Sequence, residues 1–163
     1  MPGVRTGALV VALALTSGCG GDGNGAQSDE ARDSAVYAAV IRDVAMTLPP
    51  TDAEPPEATV FVEPLDPESE IGLEVQAGVV LELEDVVEVS FIDDREAAVD
   101  EDEAGAPVRD GTALVALGPV PAGRRQVEVE VERYEREGDT ERLRYVVERI
   151  GNGWELAERQ VVG

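Results

Sequence analysis

The chain has 163 residues, 35 of them acidic and 13 basic, for a formal net charge of −22. A surface of that sign repels nucleic acid and anionic lipid headgroups, so neither is an expected partner. There is no histidine, a single cysteine, and no lysine among the basic residues, which removes serine–histidine, cysteine–histidine and serine–lysine nucleophiles together with zinc sites. Abundant acids without lysine, and with few aromatics, suit solubility in salt, where self-repulsion is screened.

The chain opens with a weakly basic start at Arg5 and an apolar run, Gly7 to Leu15 (GALVVALAL). A bilayer needs about 20 apolar residues, so this run is a signal core and not a span. Thr16, Ser17 and Gly18 are small, and Cys19 follows. This arrangement resembles the lipobox of bacterial lipoproteins over residues 1–19, with Gly18 and Cys19 matching its two most demanding positions. Leu15 stands four residues before the cysteine, where the family has its leucine at three, and Thr16 occupies that place. The resemblance implies a signal peptide over 1–18, diacylglyceryl attachment at Cys19, and export to the outer face of the cell membrane. Two or more acyl chains give stable anchoring where one is marginal. Residues 19–28 (CGGDGNGAQS) follow as a flexible tether. A single domain is expected over 29–163, long enough for one core, and no cysteine remains in it for a disulfide.

In that domain Ser28 or Asp29 caps an expected helix starting near Glu30. Tyr37, Val40, Ile41, Val44 and Leu48 fall on one helical stripe before Pro49-Pro50 ends it. Residues 51–57 (TDAEPPE) read as a loop and Thr59 to Glu63 as a strand. From Ile71 to Asp85 two patterns compete. Leu73, Val75, Ala77, Val79, Leu81 and Leu83 alternate as in a strand, whereas Ile71, Val75, Val79 and Leu83 lie four apart. Leu, Glu, Gln and Ala favour the helix, with Ser69 as its cap. Val87 to Ile92 reads as a strand, Asp93 to Val99 as a helical turn, and Asp100 to Arg109 as an acidic loop.

The final third reads as antiparallel sheet. Thr112 to Leu117 is a buried strand stopped by Gly118-Pro119. Val127, Val129 and Val131 alternate with glutamates, and Leu143, Tyr145 and Val147 form the inner face of the next strand. Asn152-Gly153 predicts a type I′ hairpin, and Trp154 then enters the core. The expected fold class is α+β: an N-terminal helix and a second helical segment on a C-terminal antiparallel meander. The architecture loosely resembles the nuclear-transport-factor-like cone. The stretches Phe91-Ile92-Asp93-Asp94, Ala113-Leu114-Val115 and Gly151-Asn152-Gly153-Trp154 resemble small actinobacterial lipoprotein domains of uncharacterised function. That resemblance implies no catalytic residue.

Sequence constellations for chemistry are thin. Glu63 with Asp66, or Asp93 with Asp94, offer paired carboxylates, but so many acids make chance pairs expected. Asp100, Asp102 and Gly105 fit calcium-loop positions one, three and six, while Ala104 and Gly111 fail positions five and twelve. Gly20-Gly21-Asp22-Gly23 lacks the strand before it and the Lys-Ser/Thr after it that a phosphate loop needs. No catalytic, cofactor or metal residue is therefore assigned. The expected function is a non-enzymatic binding or interaction module, anchored through Cys19 and facing an envelope partner. The alternative is a small-ligand-binding or weakly enzymatic protein with a cavity between helices and sheet.

Overall fold

A computed structural model describes residues 28–48, 58–123 and 125–163. The expected signal peptide, Cys19, nearly all of the tether and the loop at 51–57 lie outside them. The class is α+β: two α-helices and one six-stranded mixed sheet.

Helix α1 spans Asp29–Thr47. Ser28 caps it, its Oγ accepting from the Ala31 N–H at 3.2 Å, and Asp29 and Glu30 occupy the first turn, where the helix dipole favours acids. Val36, Val40, Ile41 and Val44 are fully or almost fully buried. Each such side chain contributes about 1.5–3 kcal/mol on leaving water.

Strand β1 (Thr59–Pro64), helix α2 (Leu73–Leu83) and strand β2 (Glu88–Phe91) form a β–α–β unit with β1 and β2 parallel. The helix reading of residues 71–85 holds, with Val75, Val79 and Leu83 as its buried stripe. Its cap does not. The N-cap is Gly72, without a side-chain bond, because Ser69 is held three residues upstream in the turn at Asp66, whose carbonyl takes both its N–H and its hydroxyl. Helix α2 packs on α1 at short range. A Cβ on Gly78 would sit 2.5 Å from Ser34 Oγ.

Strand β3 (Thr112–Leu117) pairs parallel to β1 on its other side, so β2-β1-β3 is a parallel block. The connection from β2 to β3 crosses the face opposite the helices. It includes a single 3₁₀ turn, Arg95–Ala97, capped by Asp94. Ala98 and Val99 there pack with Leu114 of β3 and with Phe61 of β1. Strands β4 (Gln126–Arg136), β5 (Asp139–Ile150) and β6 (Gly153–Val161) continue as the antiparallel meander. The inner face predicted for it holds: Val127, Val129, Val131, Leu143, Tyr145 and Val147 are all buried.

The last hairpin turns one residue earlier than Asn152-Gly153 predicts. Ile150 pairs with Gly153, leaving Gly151-Asn152 as the two-residue loop. Only Gly151 has positive φ, +61°. A type I′ turn needs two such residues, and glycine first with a normal second residue is the type II′ pattern. The earlier turn sets Trp154 opposite Arg149, one pair deeper into the sheet, and Trp154 is buried as expected. Ala157 is then an extra residue in β6: Val147 pairs with Leu156 and Val146 with Glu158. Such a bulge switches the alternation. Trp154 and Leu156 face the helices before it. Beyond it, Arg159 reaches Asp43 on α1.

No helix among the described residues is long and apolar enough to cross a membrane.

Candidate interaction surface

Helix α2 is apolar on more sides than it buries. Val75, Val79 and Leu83 face the core, yet Leu73 is 81% exposed, Leu81 69% and Val80 43%. A helix apolar all round is ordinarily buried all round. These exposed side chains line an open groove of 720 Å³ between α2 and β2, with Val89 and Phe91 on the strand side and Glu84 at one end.

The groove runs along a sheet edge. Among the described residues β2 pairs with β1 alone. The Glu88 N–H reaches Ala58 O at 3.1 Å and the Ile92 N–H reaches Val62 O at 2.9 Å. In a parallel pair the backbone groups of alternate residues point to one side. Those of Glu88, Ser90 and Ile92 therefore face β1, and those of Val89 and Phe91 face the open edge. The other edge strand, β6, carries Glu155, Glu158 and Arg159, the kind of charge that discourages added strands. Strand β2 has one charge, Glu88.

Beside the groove, at the C-terminal ends of β1 and β2, lies a smaller cleft of 400 Å³ lined by Val62, Ile71, Gln76, Phe91 and Asp93. Ligands of open parallel sheets commonly bind at such strand ends. Here the Gln76 amide is already committed, donating to Ile71 O at 2.7 Å. The charged residues lining the cleft, Glu70 and Asp93, are both acidic. An anionic ligand would meet repulsion there.

The carboxylates singled out in the sequence mostly serve local structure. Both Glu63 oxygens receive the Arg95 guanidinium, which also lies 5.2 Å from the centre of the Tyr134 ring. Asp66 Oδ1 accepts from the Glu68 N–H at 2.9 Å, and Asp94 Oδ1 from the Glu96 N–H at 3.0 Å. Asp93 stays exposed at the cleft. In the acidic loop, Asp100 Oδ1 accepts from the Asp102 N–H at 3.2 Å. No group of three or more acidic or cysteine side chains among the described residues is arranged to hold a metal ion. Cys19, the expected lipid-attachment residue, lies outside the described residues.

Sequence reasoning missed the groove. The signal was present in the surplus of apolar side chains on α2, but alternation and helical spacing both absorbed it. The chain matches no protein-family model, no curated protein and no solved structure.

Proposed function

We propose that the chain is an exported envelope protein, anchored by lipid at Cys19, that works as a non-enzymatic binding module through its α2–β2 edge. The observation that carries the binding reading is the coincidence of two unpartnered features among the described residues. Leu73, Val80 and Leu81 stand exposed beside the open backbone edge of β2. Exposed apolar surface of this kind marks contact sites more often than solvent-facing decoration. The anchoring half rests on the apolar run, Gly18-Cys19 and the tether.

The cavity alternative has less support. The space between helices and sheet is filled by valine, leucine, isoleucine and aromatic side chains. Among the described residues Ser34 is the one buried residue of polar or charged type, and its hydroxyl bonds the carbonyls of Glu30 and Val75. A ligand chamber needs convergent polar groups.

Two measurements test the reading. Intact mass of the chain extracted from membranes should show an acylated Cys19, and Cys19→Ala should leave the chain unprocessed or free in the medium. An unmodified Cys19 sinks the anchor. A photocrosslinker at Leu81 in the anchored chain should give one discrete adduct, and a crosslinker at exposed Glu101 should not. Equal or absent crosslinking at both positions sinks the binding surface.

A further inference from the structure

The groove has a shape, a free hydrogen-bonding edge and a sign of charge, and together they describe an occupant. From Asp43 to Asp94 the chain contains neither lysine nor arginine, and β1, α2 and β2 all come from this stretch. Acids bracket the groove. Glu84 lines one end, Glu88 opens β2, and Asp93, two residues past the end of β2, lines the adjoining cleft.

A strand laid against β2 would take up the outward backbone groups of Val89 and Phe91. Its side chains would alternate between the two faces of the sheet. On the helix side they would extend the layer containing Val89 and Phe91 and cover Leu73, Val80 and Leu81, so apolar groups fit. On the far side they would run beside the Glu88 carboxylate, and the two ends of the segment would meet Glu84 and Asp93 on the helix side, so basic groups fit beside Glu88 and at the ends. A second copy meeting edge to edge would oppose two acidic rims on chains of −22 each, which costs association free energy.

We infer that the α2–β2 groove binds an extended segment of another protein, added as a strand to β2, whose side chains alternate between apolar and basic. This inference rests on the binding-module reading above and names the partner's chemistry. Strand addition supplies affinity through main-chain bonds and specificity through alternate side chains.

The test uses the full chain and an eight-residue capped peptide alternating valine and arginine, with a valine–glutamate peptide as the opposite-charge probe. Calorimetry at physiological ionic strength should show saturable one-to-one binding of the arginine peptide alone. Hydrogen exchange at the Val89 and Phe91 amides should slow on binding. Leu73→Ser with Leu81→Ser changes only exposed side chains and should weaken binding about tenfold or more. Glu84→Gln with Asp93→Asn should weaken it comparably and serves if the first pair disturbs folding. Glu101→Gln with Asp102→Asn removes the same charge far from the groove and should have an effect of less than about threefold.

Equal losses in the groove and distant charge variants would mean diffuse electrostatic attraction and overturn the proposal. So would unchanged exchange at Val89 and Phe91, or equal binding of the glutamate peptide. A peptide-free dimer with those two amides already protected would assign the edge to a second copy instead. If the arginine peptide fails while the Leu81 crosslink persists on the anchored chain, only the partner's chemistry is wrong. If both fail, the binding surface itself is wrong.

Discussion

Tyr145 on β5 donates its hydroxyl hydrogen to Asp43 Oδ2 on α1 at 3.2 Å, across 102 positions of sequence. Arg159 of β6 donates to the same oxygen at 3.0 Å. One carboxylate thus ties the first helix to the last two strands. The bulge at Ala157 brings Arg159 to the helix side, and Tyr145, itself 1% exposed, supplies the less exposed of the two bonds. Tyr145→Phe leaves Asp43 its arginine and should cost about 0.5–1.5 kcal/mol in a denaturant melt. Asp43→Ala should cost more, about 1–3 kcal/mol, because it removes both bonds and leaves the part-buried Tyr145 hydroxyl without its acceptor. A smaller loss for Asp43→Ala than for Tyr145→Phe would show that this bond does not form.

The same tyrosine makes the fold sensitive to alkali. Burial first, and the Asp43 carboxylate second, push Tyr145 from 10.0 up to about 12. Burial and Asp33 do the same to Tyr37, also to about 12. The neutral phenol is the protonated form, so above pH 10 the unfolded chain loses protons that the folded chain keeps. The tyrosines' contribution to stability is therefore fully present below about pH 10 and is lost between about 10 and 12, by up to about 1.4 kcal/mol per pH unit for each tyrosine. The chain has no lysine to titrate in that window. Tyrosinate absorbance should appear late in the native protein, and Tyr145→Phe should flatten the alkaline loss. An unchanged slope in that variant would remove Tyr145 from the account.

Gly78 presents two opposed effects of known size. Glycine inside a helix is worse than alanine by about 1 kcal/mol, so Gly78→Ala gains that much from the backbone. Against this, the new methyl would stand 2.5 Å from Ser34 Oγ and 2.8 Å from Ser34 Cβ. The hydroxyl can rotate away, but the Cβ is fixed to α1, so the two helices must part. Overpacking of this kind costs about 1–3 kcal/mol. Thermal melting should show net destabilisation, and Ser34→Gly in the same chain should recover part of it. A stabilised Gly78→Ala would mean that α1 and α2 pack less closely.

Much of this architecture is legible in the sequence, and the parts that are not have physical reasons. Helix α1 could be read because its cap Ser28 and the stripe Tyr37, Val40, Ile41 and Val44 agree. The meander could be read because Val127, Val129 and Val131 alternate with glutamates. The parallel block could not, since pairing Val60 with Val89 and with Ala113 depends on segments that share no local signal. The turn at Gly151-Asn152 was shadowed by its neighbour, as both Asn-Gly and Gly-Asn suit tight hairpins. The groove was hidden because the apolar set on α2 serves a strand pattern and a helix pattern equally. Only the contact with α1 decides which side is left out.

Charge sets the solvent response. At −22 the domain repels itself, and salt shortens the range of that repulsion. The melting temperature should rise with sodium chloride. Calcium and magnesium should act through ionic strength, since no three acidic side chains among the described residues are grouped to hold an ion. A saturable rise at low calcium, absent at matched sodium chloride, would instead place a cation in the loop at Asp100 and Asp102.

Trp154 is the chain's only tryptophan and therefore its own reporter. It is the second residue of β6, opposite Arg149, is 5% exposed, and belongs to the same core as Tyr37, Ile41 and Val147. The turn at Gly151-Asn152 fixes that position, so the hairpin and the core share one determinant. Trp154→Ala should leave a void beneath the end of the sheet and cost about 3–5 kcal/mol. That is a large part of the roughly 5–15 kcal/mol available to a domain of this size. Native emission from Trp154 should be blue-shifted and should move to the red in denaturant along with the loss of helix signal. A water-like native emission, with an unchanged melt for the alanine variant, would put the ring in solvent. It would then make the Gly151–Trp154 turn, instead of the α2–β2 groove, the exposed aromatic surface to test for partners.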